Sequence, residues 1–564
     1  MTTKEDALPG APLGGRRVLP AAISLSHPNQ LLIWLGAMSA AAVLTVLWLL
    51  LDATGGVLAY SIDDSYIAMA LSERIAQGTY GINLGEPANV SSSAIYPFLL
   101  LLGVNTPWHV ATPLLVNVVG AAISLWAISR TVAFSRLTAN GLQTFILSGL
   151  IFVFLLCLNF IGVIFIGLEH SLQIAAALVI LAGIVGTLQG NSVPAWLVAA
   201  IAIAPLIRFE GIAGSLLAVA ALLVLGFRRQ AAAGALLGAS GVGIFAAAMK
   251  MMDLPVVPVS ITLKSPIATA AQFGNSSSII AAVTTRMAEL SAVPVAPVLL
   301  VLIALAVIGG CIGVIRNRNW REAIVPLYAA GVMGAHLVAG GFRWFERYDV
   351  YALLTGVVGL LYIYRDFWRW ALSALSSPFL SREHDGYAFP RFLASFAIVG
   401  TAVLSVINFN ADHWLATKVT PAAAKNILDQ QGQMSRFVTD FYKAPVAVND
   451  LGYVAWRNPY YVLDLVGLGS DEVVKIKLAR SFDEAAISDL IDRHGIGLAM
   501  IYHWVTKGKG WEQVASLHLS TPRVSPADSV VYFYRTPNGS AQKIADALSR
   551  FKAALPDGVR LDMP

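Results

Sequence analysis

Cysteine and charge are what this chain of 564 residues has least of. Its two cysteines, Cys157 and Cys311, fall near opposite membrane faces in the reading below, which argues against a disulfide. The nine histidines are scattered and no Cys/His pair has zinc-ligand spacing, so neither structural nor catalytic zinc is expected. Only 13% of residues are charged against 57% hydrophobic, and a mean hydropathy of +0.69 excludes an ordinary soluble chain. No internal repeat is evident. Gly467-Leu468-Gly469 lacks the strand, third glycine and helix of a dinucleotide fingerprint.

What is present is a series of apolar runs of about 15 to 22 residues, the length that crosses a bilayer as a helix. Backbone amides in hydrocarbon must be satisfied within the segment, and the runs show no alternation that would fit a barrel. About eleven spans follow, at 31–52, 109–129, 141–160, 171–188, 194–208, 211–227, 231–250, 294–315, 322–340, 350–364 and 392–409. Basic residues at Arg16-Arg17, Arg130/Arg136, Arg228-Arg229, Arg316/Arg318/Arg321 and Arg365/Arg369/Arg382/Arg391 are separated by even numbers of crossings. The positive-inside rule places them, and residues 1–30, in the cytoplasm. The net charge of +5 therefore belongs mostly to cytoplasmic loops and does not argue for nucleic acid. Leu49-Leu50-Leu51 runs into Asp52 without a small-residue cleavage site, so the first span reads as an anchor.

This orientation sends loops 53–108 and 251–293, and everything from residue 410 to 564, to the outer face. Past Asn408 the apolar runs shorten to strand length and charges disperse, which predicts a soluble α/β domain held by core packing. Strands are expected at Val446–Val448, 461–465, 496–501, 514–519 and 530–534, with helices over 421–442, 483–493 and 540–554.

The outer loops carry the polar residues that could do chemistry. Asp63-Asp64 begins a stretch in which Ile67, Leu71 and Ile75 recur every four residues, which predicts a short interfacial amphipathic helix. The pair could simply cap that helix; alternatively one carboxylate is a general base and the other its partner. Gly167-Leu168-Glu169-His170, Arg208-Phe209-Glu210-Gly211, the segment from Pro258 to Lys264, and Phe342-Arg343-Trp344-Phe345-Glu346-Arg347-Tyr348 all fall on the same side. Ionisable groups at span ends usually face water or a cavity, although an ordinary interfacial turn would also fit Arg208 and Glu210, and solvated-loop or headgroup roles Lys264, Arg343 and Arg347. Outward carboxylates and cations at a bundle rim suit a lipid-anchored phosphate carrying a sugar.

Ile62-Asp63-Asp64-Ser65-Tyr66-Ile67, Asn83-Leu84-Gly85-Glu86-Pro87 and Ser91-Ser92-Ser93-Ala94-Ile95-Tyr96-Pro97 resemble the first-loop pattern of GT-C membrane glycosyltransferases. The likeness is to the bacterial branch that includes arabinofuranosyltransferases, and Gly167-Leu168-Glu169, Leu206-Ile207-Arg208-Phe209-Glu210-Gly211 and the Pro258-to-Lys264 segment are similar to further landmarks of that branch. Asn449-Asp450-Leu451-Gly452-Tyr453 and 464–468 resemble its extracytoplasmic C-terminal domains.

The resemblance implies a GT-C-type polytopic α-helical membrane protein, residues 31–409, in the bacterial cytoplasmic membrane. Its activity would be inverting sugar transfer, EC class 2.4, from a polyprenyl-phosphate donor to an envelope glycan, lipid or protein. By that resemblance Asp63 is the base and Asp64 its partner. Lys264, Arg208, Arg347 and Arg343 would meet the donor phosphate, and Glu169, Glu210, Tyr96 and Tyr348 the substrates. Because the leaving group is a single phosphate, Lys/Arg pairing could suffice without a cofactor; alternatively Asp63, Asp64 or Glu169 could hold a divalent cation through oxygen. The chain departs from the pattern at Val259-Ser260-Ile261-Thr262 and at Gly340-Gly341-Phe342-Arg343, which leaves the sugar open. A transporter or flippase of lipid-linked sugars is the rival reading, with the same charges lining a path. A membrane partner protein whose soluble domain binds envelope glycan is a third.

Overall fold

Apolar runs this long have one way to satisfy their amides, and each of the segments above folds as a helix. The computed structural model describes residues 27–258, 276–380, 388–479 and 481–564. Lys264 and Val259-Ser260-Ile261-Thr262 lie outside the described residues, as do Arg16-Arg17 and Arg382.

Among the described residues, 7 helices are long and apolar enough to cross a membrane by themselves. An eighth candidate is the bent pair Val350–Ile363 and Arg365–Pro378, which turns by 80°, and Gly141–Cys157, Ala195–Ile207 and Gly211–Val224 are shorter apolar helices. The His170–Gly190 helix sits at the centre, with 72% of its apolar window buried, whereas Asn29–Ala53 at the periphery has 17% buried. Leu44, Trp48, Leu236, Ile244, Ile315 and Leu404 stand exposed on the outer helices, a surface that lipid would cover. The chain is thus a multi-pass helical membrane protein.

Local chemistry sets the helix ends. Asn140 caps Gly141–Cys157 by accepting from the Gln143 amide at 2.9 Å. Pro205 ends Ala195–Ile207 within two residues, and Arg208 is fully extended (φ −154°, ψ 145°) before Gly211–Val224 begins. Gly211 is needed there, since a Cβ would lie 2.3 Å from the Ala204 carbonyl oxygen.

The C-terminal part is a six-stranded sheet flanked by helices. Its strands are β1 (Val446–Val448), β2 (Val462–Asp464), β3 (Leu498–Ile501), β4 (Glu512–His518), β5 (Val530–Arg535) and β6 (Arg560–Asp562), in the order β2-β1-β3-β5-β4-β6. The β2-β1-β3 pairings are parallel and the rest antiparallel. Helices Glu484–Arg493 and Ala541–Ala553 match expectation; Asp471–Leu478 and β6 were not foreseen. Residues 411–442 form one helical run, with wider turns at Leu428–Gly432 and Phe437–Tyr442.

The expected amphipathic helix exists as Asp64–Ala76, but it does not lie on a membrane surface. Tyr66, Met69, Ala70 and Leu71 are completely buried. Tyr453 stacks on Tyr66 with ring centroids 4.1 Å apart, and Trp456 follows at 5.5 Å. The reason is that the C-terminal part docks on this helix and covers its face. Arg74 donates to the Asn458 carbonyl at 2.5 Å, and Asn83 exchanges hydrogen bonds of 3.0 and 2.9 Å with the Val462 backbone of β2.

Candidate active site

Where the first loop, the span ends and the sheet domain meet, they enclose a cavity of about 650 Å³. Each wall has a sequence-level cause. Asp63 and Asp64 come from the start of the Asp64–Ala76 helix, Glu169 from the cap of His170–Gly190, and Arg208 and Glu210 from the break made by Pro205. The turn 343–348 ahead of Val350–Ile363 supplies Arg343, Arg347 and Tyr348. Gln431, Asn449 and Asp450 arrive from the sheet domain.

Asp63 is clamped from the sheet-domain side. Its Oδ2 accepts from the Gly452 amide at 2.7 Å and its Oδ1 from the Tyr453 amide at 2.8 Å. The approach requires glycine, because a Cβ at Gly452 would lie 2.1 Å from the Asp63 carbonyl oxygen. Burial, and next the charge of Asp450, push Asp63 up to about 8 against the pull of those two amides. Burial likewise raises Asp450, although Gln431 Nε2 donates to its Oδ2 at 2.6 Å, Asn449 Nδ2 to its Oδ1 at 3.0 Å, and the Tyr502 hydroxyl sits 2.5 Å from Oδ2. Asp64 faces the other way and accepts from Arg347 Nη2 at 2.7 Å.

The basic residues divide into two kinds. Arg208 is buried and saturated: Nη1 reaches Glu169 at 2.5 Å, while Nη2 and Nε reach Glu210 at 2.9 and 3.2 Å. Glu210, between two spans, is held below the usual range because the Arg208 charge and hydrogen bond outweigh its burial. Arg343 and Arg286 have carbonyl partners: Arg343 donates to Ala292 at 2.7 Å, and Arg286 to Leu337 and Gly340 with its guanidinium 4.6 Å from the Phe342 ring centroid. Among the described residues neither forms a salt bridge with a carboxylate, so both keep charge to offer an anion.

Of the residues expected from sequence, Asp63, Asp64, Arg208, Arg343, Arg347, Glu169, Glu210 and Tyr348 all line this one cavity. Tyr96 does not: it is fully buried and donates to the Gly167 carbonyl at 2.7 Å, supporting the turn that presents Glu169. Asp450, Gln431 and Arg286 were not expected as site residues. Asp450 lies within the Asn449–Tyr453 landmark, whereas nothing in the local sequence marks Arg286.

Fold and site therefore define a class: a multi-pass helical membrane protein whose extramembranous sheet domain closes a charged cavity at the span ends. A domain of unknown function (DUF8728) matches residues 425–534, which takes in most of the sheet domain. No curated protein matches the sequence. Among solved structures, ArnT from Cupriavidus metallidurans in the apo state is similar at 13% identity and a TM-score of 0.44, over 89% of this chain and 98% of that chain. ArnT bound to undecaprenyl phosphate is similar at the same identity and TM-score, over 89% and 99%.

Proposed function

We propose that the protein is an inverting glycosyltransferase that takes a sugar from a polyprenyl-phosphate donor on the outer face of the cytoplasmic membrane. The observation that carries this reading is the convergence, in one cavity, of an acidic wall (Asp63, Asp64, Asp450) and a basic wall (Arg286, Arg343, Arg347). The first-loop resemblance to GT-C enzymes points the same way; the arabinofuranosyltransferase-like branch rests on that motif likeness alone.

In the reaction, the acceptor hydroxyl gives its proton to Asp63, whose oxygens retain lone pairs beyond those used by the two amides. The acceptor oxygen bonds to the anomeric carbon as the bond from that carbon to the phosphate oxygen breaks. The bonding pair leaves on the polyprenyl phosphate, and because the acceptor attacks from the face opposite the phosphate, configuration inverts. Arg286, Arg343 and Arg347 offset the charge that gathers there. Arg208, already matched by two carboxylates, positions Glu169 and Glu210 in this account more than it meets phosphate. Burial raises the Asp63 pKa first and the charge of Asp450 adds to it, which gives the sheet domain a part in catalysis in this proposal.

The test is transfer of label from a panel of radiolabelled polyprenyl-phosphate sugars to extracted envelope acceptors by purified protein. Wild type should transfer with at least one donor, and Asp63→Asn should lose activity while Asp450→Asn retains part of it. Full activity in folded Asp63→Asn moves the base elsewhere. No transfer with any donor favours the transporter reading.

A further inference from the structure

Behind the arginine-bearing turn, and outside the cavity lining, Glu346, Asp349 and His413 each present a ligand atom within 4.8 Å of the others. They come from the 343–349 turn and from the start of the Ala411–Ile427 helix, 64 residues apart for the bonded pair. Asp349 is completely buried, and its Oδ1 lies 3.1 Å from His413 Nε2. Its other oxygen, Oδ2, is buried with no hydrogen-bond donor among the described residues. A buried carboxylate oxygen left without a partner is costly and calls for an occupant. Asp412 adds a third negative charge near Glu346 and His413, while Arg343 is a nearby positive group.

We infer that Glu346, Asp349 and His413 bind a divalent cation of the zinc class, which fixes the turn that carries Arg343 and Arg347 into the cavity. One imidazole nitrogen and two carboxylates make a three-ligand set that suits Zn²⁺ and leaves a fourth position for water. Metal–ligand distances of about 2.0–2.1 Å place two ligand atoms of a tetrahedral ion about 3.3 Å apart. The Asp349–His413 separation of 3.1 Å is close to that, so the ion replaces their mutual hydrogen bond with little movement.

The turn has reason to need such an anchor. Arg343, Trp344, Phe345 and Glu346 all have left-handed backbones (φ 65°, 57°, 66° and 42°), a conformation that none of these side chains favours. Asn159 ties the turn from one side by donating to the Phe345 and Glu346 carbonyls at 2.8 and 3.1 Å, and Thr417 steadies Asn159 at 2.8 Å. A cation on Glu346 and Asp349 ties it from the other. The consequence reaches the cavity through Arg347, whose pairing with Asp64 depends on where this turn ends.

The experiment uses the full chain, purified in detergent through a tag that binds no metal, stripped with EDTA and titrated with ZnCl₂ by calorimetry, with metal content read by mass spectrometry. About one zinc per chain and a rise in unfolding temperature on reloading are expected. Asp349→Asn and, at a less buried position, Glu346→Gln should each weaken zinc binding by at least about tenfold to a hundredfold. Asp412→Asn should bind as wild type does. Absence of zinc binding by the wild type overturns the inference, and so does zinc binding that both ligand variants leave unchanged. Neither result depends on the donor sugar or on any turnover.

Discussion

Replacing Arg208 by methionine removes one buried cation from between two carboxylates. Arg208 has 5% of its side chain exposed, Glu169 2% and Glu210 21%. Breaking a buried pair by deleting one partner costs about 3–5 kcal/mol, because the remaining charge stays desolvated and unpaired. The cation–π contact of Arg208 with Tyr348, at 5.5 Å, is lost as well. In wild type, Glu210 has a depressed pKa and so stabilises the fold at neutral pH, a contribution lost as pH falls through its folded value. Arg208→Met lacks that contribution at every pH. Without Arg208 the burial of Glu210 raises its carboxyl above the ordinary value of 4.5, so the difference between the two proteins should be full only above that raised value and shrink as pH falls through it. Adding Glu169→Gln to Arg208→Met removes one orphaned charge and should recover about 1–3 kcal/mol. Denaturant unfolding in micelles, followed by tryptophan fluorescence, measures all three proteins. A loss below about 1 kcal/mol for Arg208→Met, or no recovery in the double variant, would refute the reasoning that this triad is a buried, charge-coupled unit.

Three further outcomes follow from the same geometry. A general base must be deprotonated to act, so with Asp63 raised to about 8 the acid limb of kcat/KM should rise toward pH 8; a profile flat between pH 5 and 8 would contradict a base with a raised pKa. Gly452→Ala forces a Cβ to within 2.1 Å of the Asp63 carbonyl, and should cost about 1–3 kcal/mol and loosen the sheet domain from the first loop, seen as faster proteolysis; unchanged proteolysis contradicts the docking. Arg286→Gln removes a charged hydrogen-bond donor from the basic wall, a loss of about 1.5–3 kcal/mol in phosphate binding, so KM for the donor should rise by about tenfold to a hundredfold with the unfolding midpoint little changed; an unaltered KM takes Arg286 out of the donor site.

The membrane helices were legible because apolar runs in hydrocarbon must satisfy their amides as helices, although Ala195–Ile207, at 13 residues, is short enough that tilting or pairing stayed open in the sequence. The strands β1 to β5 were visible as short apolar runs, whereas β6, with only Leu561 buried, left no pattern. Most cavity residues were visible because an ionisable group at a span end has few other places to go. Position relative to other elements was not legible. The periodicity of Asp64–Ala76 announces an apolar face but cannot say whether lipid or Tyr453 and Trp456 will cover it. Arg286 sits in a helix of mixed composition, and its place on the cavity wall depends on long-range packing. Asp349 and His413 carry no shared spacing, so their contact exists only in the folded chain.

Cleavage of the bond between sugar and polyprenyl phosphate separates glycosyl transfer from transport of the intact donor. Purified protein in vesicles, given a polyprenyl-phosphate sugar and acceptor, can be followed by mass spectrometry for free polyprenyl phosphate. The account predicts its release in proportion to glycosylated acceptor, with inverted configuration in the product and loss of both in Asp63→Asn. Movement of intact donor across the bilayer, with no polyprenyl phosphate released, would contradict it.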